Sequence, residues 1–337
     1  MMKAITTNES VENGKRPLVT FVLFAYNQER YIREALRGAF SQTYSPLEIV
    51  LSDDCSKDDT FDIMVSEAAA YQGPHRIILN RNDHNLNIGE HVNRVAEIAA
   101  GEFIVLAAGD DISVPLRTEK LVSRWQSRGY MPAALCSDFQ PIDAKSQKVF
   151  FPKMKLYRGA HSKATMACGE ILVLGATTAF SKDVWAKFPP MSSSIRHEDR
   201  VLPFRALLLG GTIELVDEKL VNYRVEGGVS TGNVLTAREY LFEYIPTLAT
   251  RILPDAMQRL KDLDVMSPDD LGLRALCLKT LAEHESSISL SKAKGIGVEF
   301  AFFSALRDGA RFGPLFRSYL RFRLFFMFSI YFRIKNS

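Results

Sequence analysis

Residues 47–60 read LEIVLSDDCSKDDT: six mostly apolar, β-forming residues run directly into two adjacent carboxylates. A short apolar run of this kind is what a buried strand of a parallel sheet requires. Acids at its end stand at the carboxyl edge, where open α/β sheets gather their ligands. Upstream, residues 18–25 (LVTFVLFA) form a second such run. Between the two, Tyr31, Ile32, Ala35, Leu36, Ala39 and Phe40 recur at helical spacing, with Asn27 placed to cap the helix. Downstream, a helix is predicted to Tyr71 with Asp58 or Asp59 as its cap. A strand at 76–79, a helix over 88–100 and a strand at 103–108 follow, the last delivering Gly109-Asp110-Asp111. Pro115 suits the first position of a further helix, to about Arg128, because no N–H is needed there.

Strands alternating with helices at this spacing imply βαβ units and a mainly parallel sheet. Past residue 133 the pattern loosens. Strands are predicted at 133–137, 171–174, 213–216 and 219–225, with a helix over 199–209 that opens on Glu198-Asp199. Beyond Thr236 nearly everything reads helical.

Composition narrows the function classes. The 337-residue chain is 47% apolar and 24% charged, as a folded protein with a sizeable core should be. A net charge of +3 is too small to indicate nucleic acid. Cys55, Cys136, Cys168 and Cys277 are far apart and form no CxxC pair, which suits reduced thiols. No GxGxxG follows the first strand and no GxxxxGK[ST] occurs, so a Rossmann dehydrogenase and a P-loop nucleotidase are poorly supported.

Three acidic pairs remain as candidate site residues. Asp110-Asp111 at a strand end can turn both carboxylates toward one ligand, a hard cation and a ribose, or can serve as a cap and turn before Pro115. Asp53-Asp54 occupies the position that reads ribose or base in dinucleotide folds, or forms a capped turn. Glu198-Asp199 is a helix cap or supplies a general base, and His197 beside it is a polar surface residue or a ligand.

Taken together, the motifs resemble the family-2 glycosyltransferases, whose fold is the nucleotide-sugar-dependent GT-A fold. The resemblance rests on Phe24-Ala25-Tyr26-Asn27, on residues 48–56 with Asp58-Asp59-Thr60, and on Asn87-Ile88-Gly89 with Asn93 and residues 100–104. Residues 106–111, His197-Glu198-Asp199-Arg200 and the strand 220–224 complete it, over roughly residues 17–230. The fold so implied is a Rossmann-like α/β/α sandwich with a mainly parallel sheet and a helical C-terminal extension. A leader at 1–16, expected to be disordered, precedes a catalytic domain at 17–235, divided into a nucleotide-binding half (17–112) and an acceptor half (113–235). A helical region (236–298) and a basic, aromatic tail (299–337) follow.

The resemblance implies an inverting transferase that moves one sugar from a nucleotide-diphosphate sugar, most commonly a UDP-sugar, to a saccharide or lipid-linked acceptor in surface polysaccharide or glycolipid assembly. Tyr26 and Asp54 would contact the donor base and Asp110 the ribose, with Ala25 and Asn27 also binding the donor nucleotide. Asp111 would hold Mg2+ or Mn2+, with Glu226 an alternative oxygen ligand where many members carry a His. Asp199 would be the general base beside Glu198, and His197, Arg200 and Arg224 would face the acceptor or the phosphates. The absence of a Gln-x-x-Arg-Trp segment points to single addition. A nucleotidyltransferase on a similar fold and a membrane-recruited protein without catalysis are the rival readings. A nucleotidyltransferase would need a Gly-rich phosphate loop after the first strand, which residues 24–29 lack.

Residues 300–337 carry seven Lys/Arg, one acid and twelve Phe/Tyr. Arg317, Arg321, Arg323 and Arg333 interrupt the apolar stretch too often for a spanning helix. The expectation is an interfacial helix on an anionic leaflet, on a cytoplasmic protein peripheral to the inner face of the membrane. Packing on the protein itself or at a homodimer interface is the alternative.

Overall fold

Four parallel strands form the half of the sheet that the apolar runs predict. They are β1 (Val19–Ala25), β2 (Leu47–Asp53), β3 (Arg76–Arg81) and β4 (Phe103–Ala108), ordered β3-β2-β1-β4. The computed structural model describes residues 16–151, 162–169, 173–225, 239, 243–292, 297–310, 315, 316, 319 and 320. Because successive side chains point to opposite faces, β1 sends Val19, Phe21, Leu23 and Ala25 into one core and Val22 into the other. The first core is closed by helices α1 (Ile32–Phe40), α2 (Thr60–Ala70) and, after β5 (Ile112–Ser113), α4 (Arg117–Gln126). The second is closed by α3 (Asn87–Ile98) and by α7 (Leu202–Leu208), so the sheet is sandwiched as expected.

The other half of the sheet is mixed. β4 pairs antiparallel with β7 (Thr178–Ser181), which pairs antiparallel with β6 (Ala133–Ile142). β6 runs parallel to β8 (Thr212–Arg224), and β5 pairs antiparallel with β8. The strand expected at 171–174 is not found there. Residues 170–172 lie outside the described residues, Val173 and Leu174 are not in a strand, and the pairing segment comes later, at β7. The two strands expected at 213–216 and 219–225 are one continuous β8, whose register against β6 shifts around Asp138. Pro115 lies two residues before α4, in the turn closed by the Arg117 amide on the Val114 carbonyl.

Short helices α5 (Lys163–Ala167) and α6 (Asp183–Ala186) flank β7. The C-terminal part is helical as expected: α8 (Ile245–Met266), α9 (Leu271–Lys292) and α10 (Gly297–Arg307). Leu263, Leu273 and Cys277 from α8 and α9 join the core that covers the second face, so these helices pack on the sheet's covering layer. The part of the tail that is described packs too: Phe302, Ala305, Ala310 and Leu315 bury against Ala282 and Leu290 of α9. Among the described residues no helix is long and apolar enough to cross a membrane. Residues 1–15 of the leader, residues 321–337 of the tail and Glu226 lie outside the described residues.

Candidate active site

The parallel strands end in step. Ala25 is in register with Asp53, Asp53 with Arg81, and Phe24 with Ala108. Residues one or two places beyond therefore share one edge, and with neighbouring strands about 4.8 Å apart the ends of β2 and β4 stand roughly 10 Å from each other. The turn after β4 is drawn tight: the Gly109 amide donates to the Phe24 carbonyl, and a Cβ at Gly109 would lie 2.4 Å from Gln28 Oε1.

The two acids after β2 are held differently. Asp53 is wholly buried and takes the Ser56 amide at 2.9 Å, with the Arg81 guanidinium 3.6 Å away, so it builds the turn. Asp54 takes Asn82 Nδ2 and the Leu86 amide at 2.8 Å and the Asn87 amide at 3.1 Å. Its carboxylate thus fixes the loop leading into α3. His91 closes this network from below, accepting or donating at 2.6 Å to Ser52 Oγ, and burial lowers its pKa to about 4. Asn27 does not cap α1. In the left-handed region at φ 52°, it binds the Ser56 hydroxyl through its amide and the Lys57 amide through its side chain, tying the first loop to the second. Tyr26 beside it is 41% exposed, an open aromatic face at the strand edge.

Asp110 and Asp111 follow β4. Asp111 is 4% exposed; its Oδ1 accepts the Arg224 amide at 2.8 Å, while the Arg224 guanidinium donates to the Asp110 carbonyl at 2.9 Å. Burial raises both carboxyls, and Asp110 pushes Asp111 up further. Two adjacent acids that are expensive to ionise together form a site that gains from a cation. The Arg117 and Arg224 guanidinium groups offset part of that rise at Asp111. Arg224 itself is committed: it reaches Glu34 and Ser146 at 3.1 Å and lies over the Tyr31 ring, 4.4 Å from its centre.

Glu198 and Asp199 do not open the helix directly. They sit on a 3-10 turn, Glu198–Arg200, immediately before α7. Both reach solvent in part, yet protein surrounds them closely enough that desolvation dominates. Glu198 is pushed up to about 8 by burial and by Asp199, whereas His197, Arg200 and the Gly175 amide offset the rise at Asp199. Asp199 Oδ2 accepts the Gly175 amide at 3.3 Å. A Cβ at Gly175 would crowd Glu198 Oε1, so a side chain there would press the Glu198 carboxyl aside. His197 Nδ1 lies 2.8 Å from Asp255 Oδ2, and Arg200 donates to the Gly169 carbonyl at 3.2 Å.

Two residues that sequence reasoning passed over join the pairs. Tyr223 is pushed up to about 12 by burial and by Asp111, Asp110 and Asp199, so a single phenol feels all three acids. Arg117, at 0% exposure, donates to the Leu106 carbonyl at 2.6 Å and to the Ala176 carbonyl at 3.0 Å, linking the end of β4 to the turn whose Gly175 holds Asp199. The structure therefore brings Asp110, Asp111 and Asp199 to one place, with Asp54 and Tyr26 along the same sheet edge. Among the described residues, no group of three or more His, Cys, Asp or Glu side chains is arranged to hold a metal. Asp110 and Asp111 suit a hard cation that keeps positions for phosphate oxygens.

Residues 20–161 match the family described as Glycosyl transferase family 2. Over 107 residues it is 36% identical to the putative glycosyltransferase EpsE of Bacillus subtilis, covering 32% of this chain and 38% of that one. The first curated relatives are thus matched over only about a third of their own length. Among solved structures, S. aureus TarS 1-349 in complex with UDP-GlcNAc superposes with a TM-score of 0.52 at 15% identity, covering 86% of this chain and 89% of that one. The mannosyltransferase PcManGT of Pyrobaculum calidifontis, in complex with GDP-Man and Mn2+, gives 0.52 at 15% identity over 94% and 85%. These likenesses establish the GT-A-like fold.

Proposed function

We propose that the chain is a glycosyltransferase that moves a single sugar, with inversion, from a nucleotide-diphosphate sugar to a saccharide or lipid-linked acceptor. The observation that carries this reading is the convergence of Asp110, Asp111 and Asp199 around Tyr223, bridged through Arg117. Two solved structures of like fold hold UDP-GlcNAc and GDP-Man, which supports a nucleotide-sugar donor.

In this reading the donor base lies along Ala25, Tyr26, Asn27 and Asp54. The three donors that fix Asp54 support a base pocket set before the ligand arrives. Asp110 takes the ribose. Asp111 holds Mg2+ or Mn2+, with Glu226 as a further ligand; the cation, when bound, neutralises charge on the leaving nucleoside diphosphate. Arg200 and Arg224 add positive charge on the acceptor and phosphate sides. Asp199 removes the proton from the acceptor hydroxyl as that oxygen attacks the anomeric carbon, beside a Glu198 whose protonated form is favoured by burial and by Asp199. In this reading the basic, aromatic tail holds the protein at an anionic membrane surface, where a lipid-linked acceptor is presented.

A panel of nucleotide sugars, scored by thermal shift with and without Mn2+, tests the reading, because a ligand that binds only the folded state raises its melting temperature. One donor should stabilise the chain, more so with Mn2+, and should be turned over once an acceptor is supplied. No shift with any uridine, guanosine or thymidine sugar would overturn it. For the membrane contact, the full chain should pellet with anionic vesicles and a chain ending at residue 298 should not.

A further inference from the structure

One face of α8 grips the segment that carries the acid pair. Asp255, Gln258, Arg259 and Asp262 are 0, 3, 1 and 0% exposed, and their spacing of three and four residues sets them in one stripe. Charged groups this deep are costly without partners, and each finds one on a different part of residues 192–205. Gln258 Oε1 accepts the Ser192 amide at 3.2 Å, Asp255 Oδ2 meets His197 Nδ1 at 2.8 Å, and Arg259 donates to the Arg200 carbonyl at 3.3 Å. Asp262 receives two nitrogens of Arg205, at 2.7 and 3.0 Å. All four lie outside residues 20–161, where the family match falls.

Asp255 stands out among them. Its second oxygen has no hydrogen-bond partner, so its hold on the protein runs through His197. A carboxylate only accepts, so the Asp255 carboxylate pairs with the His197 tautomer that carries its proton on Nδ1. The His197 carbonyl in turn closes the 3-10 turn by accepting the Arg200 amide at 3.1 Å, and Asp199 lies inside that turn.

We propose that Asp255 is a positioning residue for sugar transfer: by holding His197 it fixes the turn that aims Asp199 at the acceptor. The helical extension is then part of the catalytic apparatus, supplying the geometry of the base from outside the sheet. This inference rests on the functional reading above.

The test uses the full chain, its six histidines labelled with 15N, and compares wild type, Asp255→Asn, His197→Gln and the double variant. His197, assigned by loss of its signal in His197→Gln, should show the Nδ1-protonated tautomer in wild type and a mixture in Asp255→Asn. With UDP-GlcNAc or GDP-Man, whichever wild type turns over, kcat per folded molecule should fall about 10- to 100-fold in Asp255→Asn with donor KM within about twofold, as a displaced base would produce. The double variant should lose no more than the worse single variant, since both act on one turn. An unchanged tautomer, a wild-type kcat in Asp255→Asn, or fully additive losses would each overturn the inference and leave the glycosyltransferase reading standing. Failure of wild type itself to turn over any donor would overturn that reading, and this inference with it.

Discussion

The main-chain amide of Arg224 donates to Asp111 Oδ1 across 2.8 Å, so the last residue of β8 holds the carboxylate that follows β4. The two lie 113 positions apart, and their contact joins the parallel half of the sheet to the mixed half. It also leaves Asp111 with one oxygen uncommitted to Arg224, in a setting where ionisation is disfavoured. Asp111→Asn is accordingly expected to abolish transfer without lowering the melting temperature, because a buried charge is replaced by a neutral group of the same shape. Calorimetry beside a turnover assay checks both halves.

Arg117 is the structural counterpart of that acid. Wholly buried, with its pKa lowered to about 9 and Asp111 the one charge that opposes the fall, it binds carbonyls of β4 and of the 175–177 turn. Replacing it by Met leaves those carbonyls unpaired and removes a cation facing Asp111, a loss expected to cost about 3 kcal/mol or more. Urea unfolding measures it; a change below about 1 kcal/mol would contradict the assigned role.

Glu198 offers a pH test. Its folded pKa of about 8 lies above the ordinary value of 4.5, so the folded state binds the extra proton and stability from this group is lost as pH rises between the two. Glu198→Gln mimics the protonated form. It should leave stability unchanged near pH 4.5 and raise it by roughly 1 kcal/mol above pH 8, the partial exposure of the group discounting a larger value. Thermal unfolding at the two pH values decides it.

Gly175→Ala tests how closely the acid pair is set. The new Cβ would crowd Glu198 Oε1, and relief requires the Glu198 carboxyl to shift beside Asp199. A displaced base costs rate while donor binding is spared, so kcat should drop about 10-fold or more with nucleotide-sugar affinity unchanged. Equal losses in both would place Gly175 in the donor site instead.

The parallel half of the sheet was legible because buried strands are continuous apolar runs: β1, β2 and β4 match their expected bounds to within a residue. β7 was not, since four residues reading TAFS carry no periodicity and are fixed by β4 and β6 on either side. β8 looked like two strands because Asp217 and Glu218 interrupt its apolar pattern, where the register against β6 also shifts. The acids of the site were legible from their places after strands, and their convergence was not. That depends on Arg117, Gly175 and Tyr223, residues unremarkable in sequence, each with a partner in the site at least 24 positions away along the chain. Asn27 misled for a related reason: a good capping residue was taken up by a tie between loops.

In the proposed reaction Asp111, beyond the end of β4, and Asp199, on the turn before α7, act together. The most direct measurement is release of nucleoside diphosphate from a stabilising donor, with acceptor and Mn2+ present, by wild type, Asp111→Asn and Asp199→Asn. Wild type should turn over and should stop when EDTA removes the cation; Asp111→Asn should be silent. Asp199→Asn should lose about 10²–10⁴-fold in kcat while still binding donor. Undiminished turnover in either variant would contradict the account.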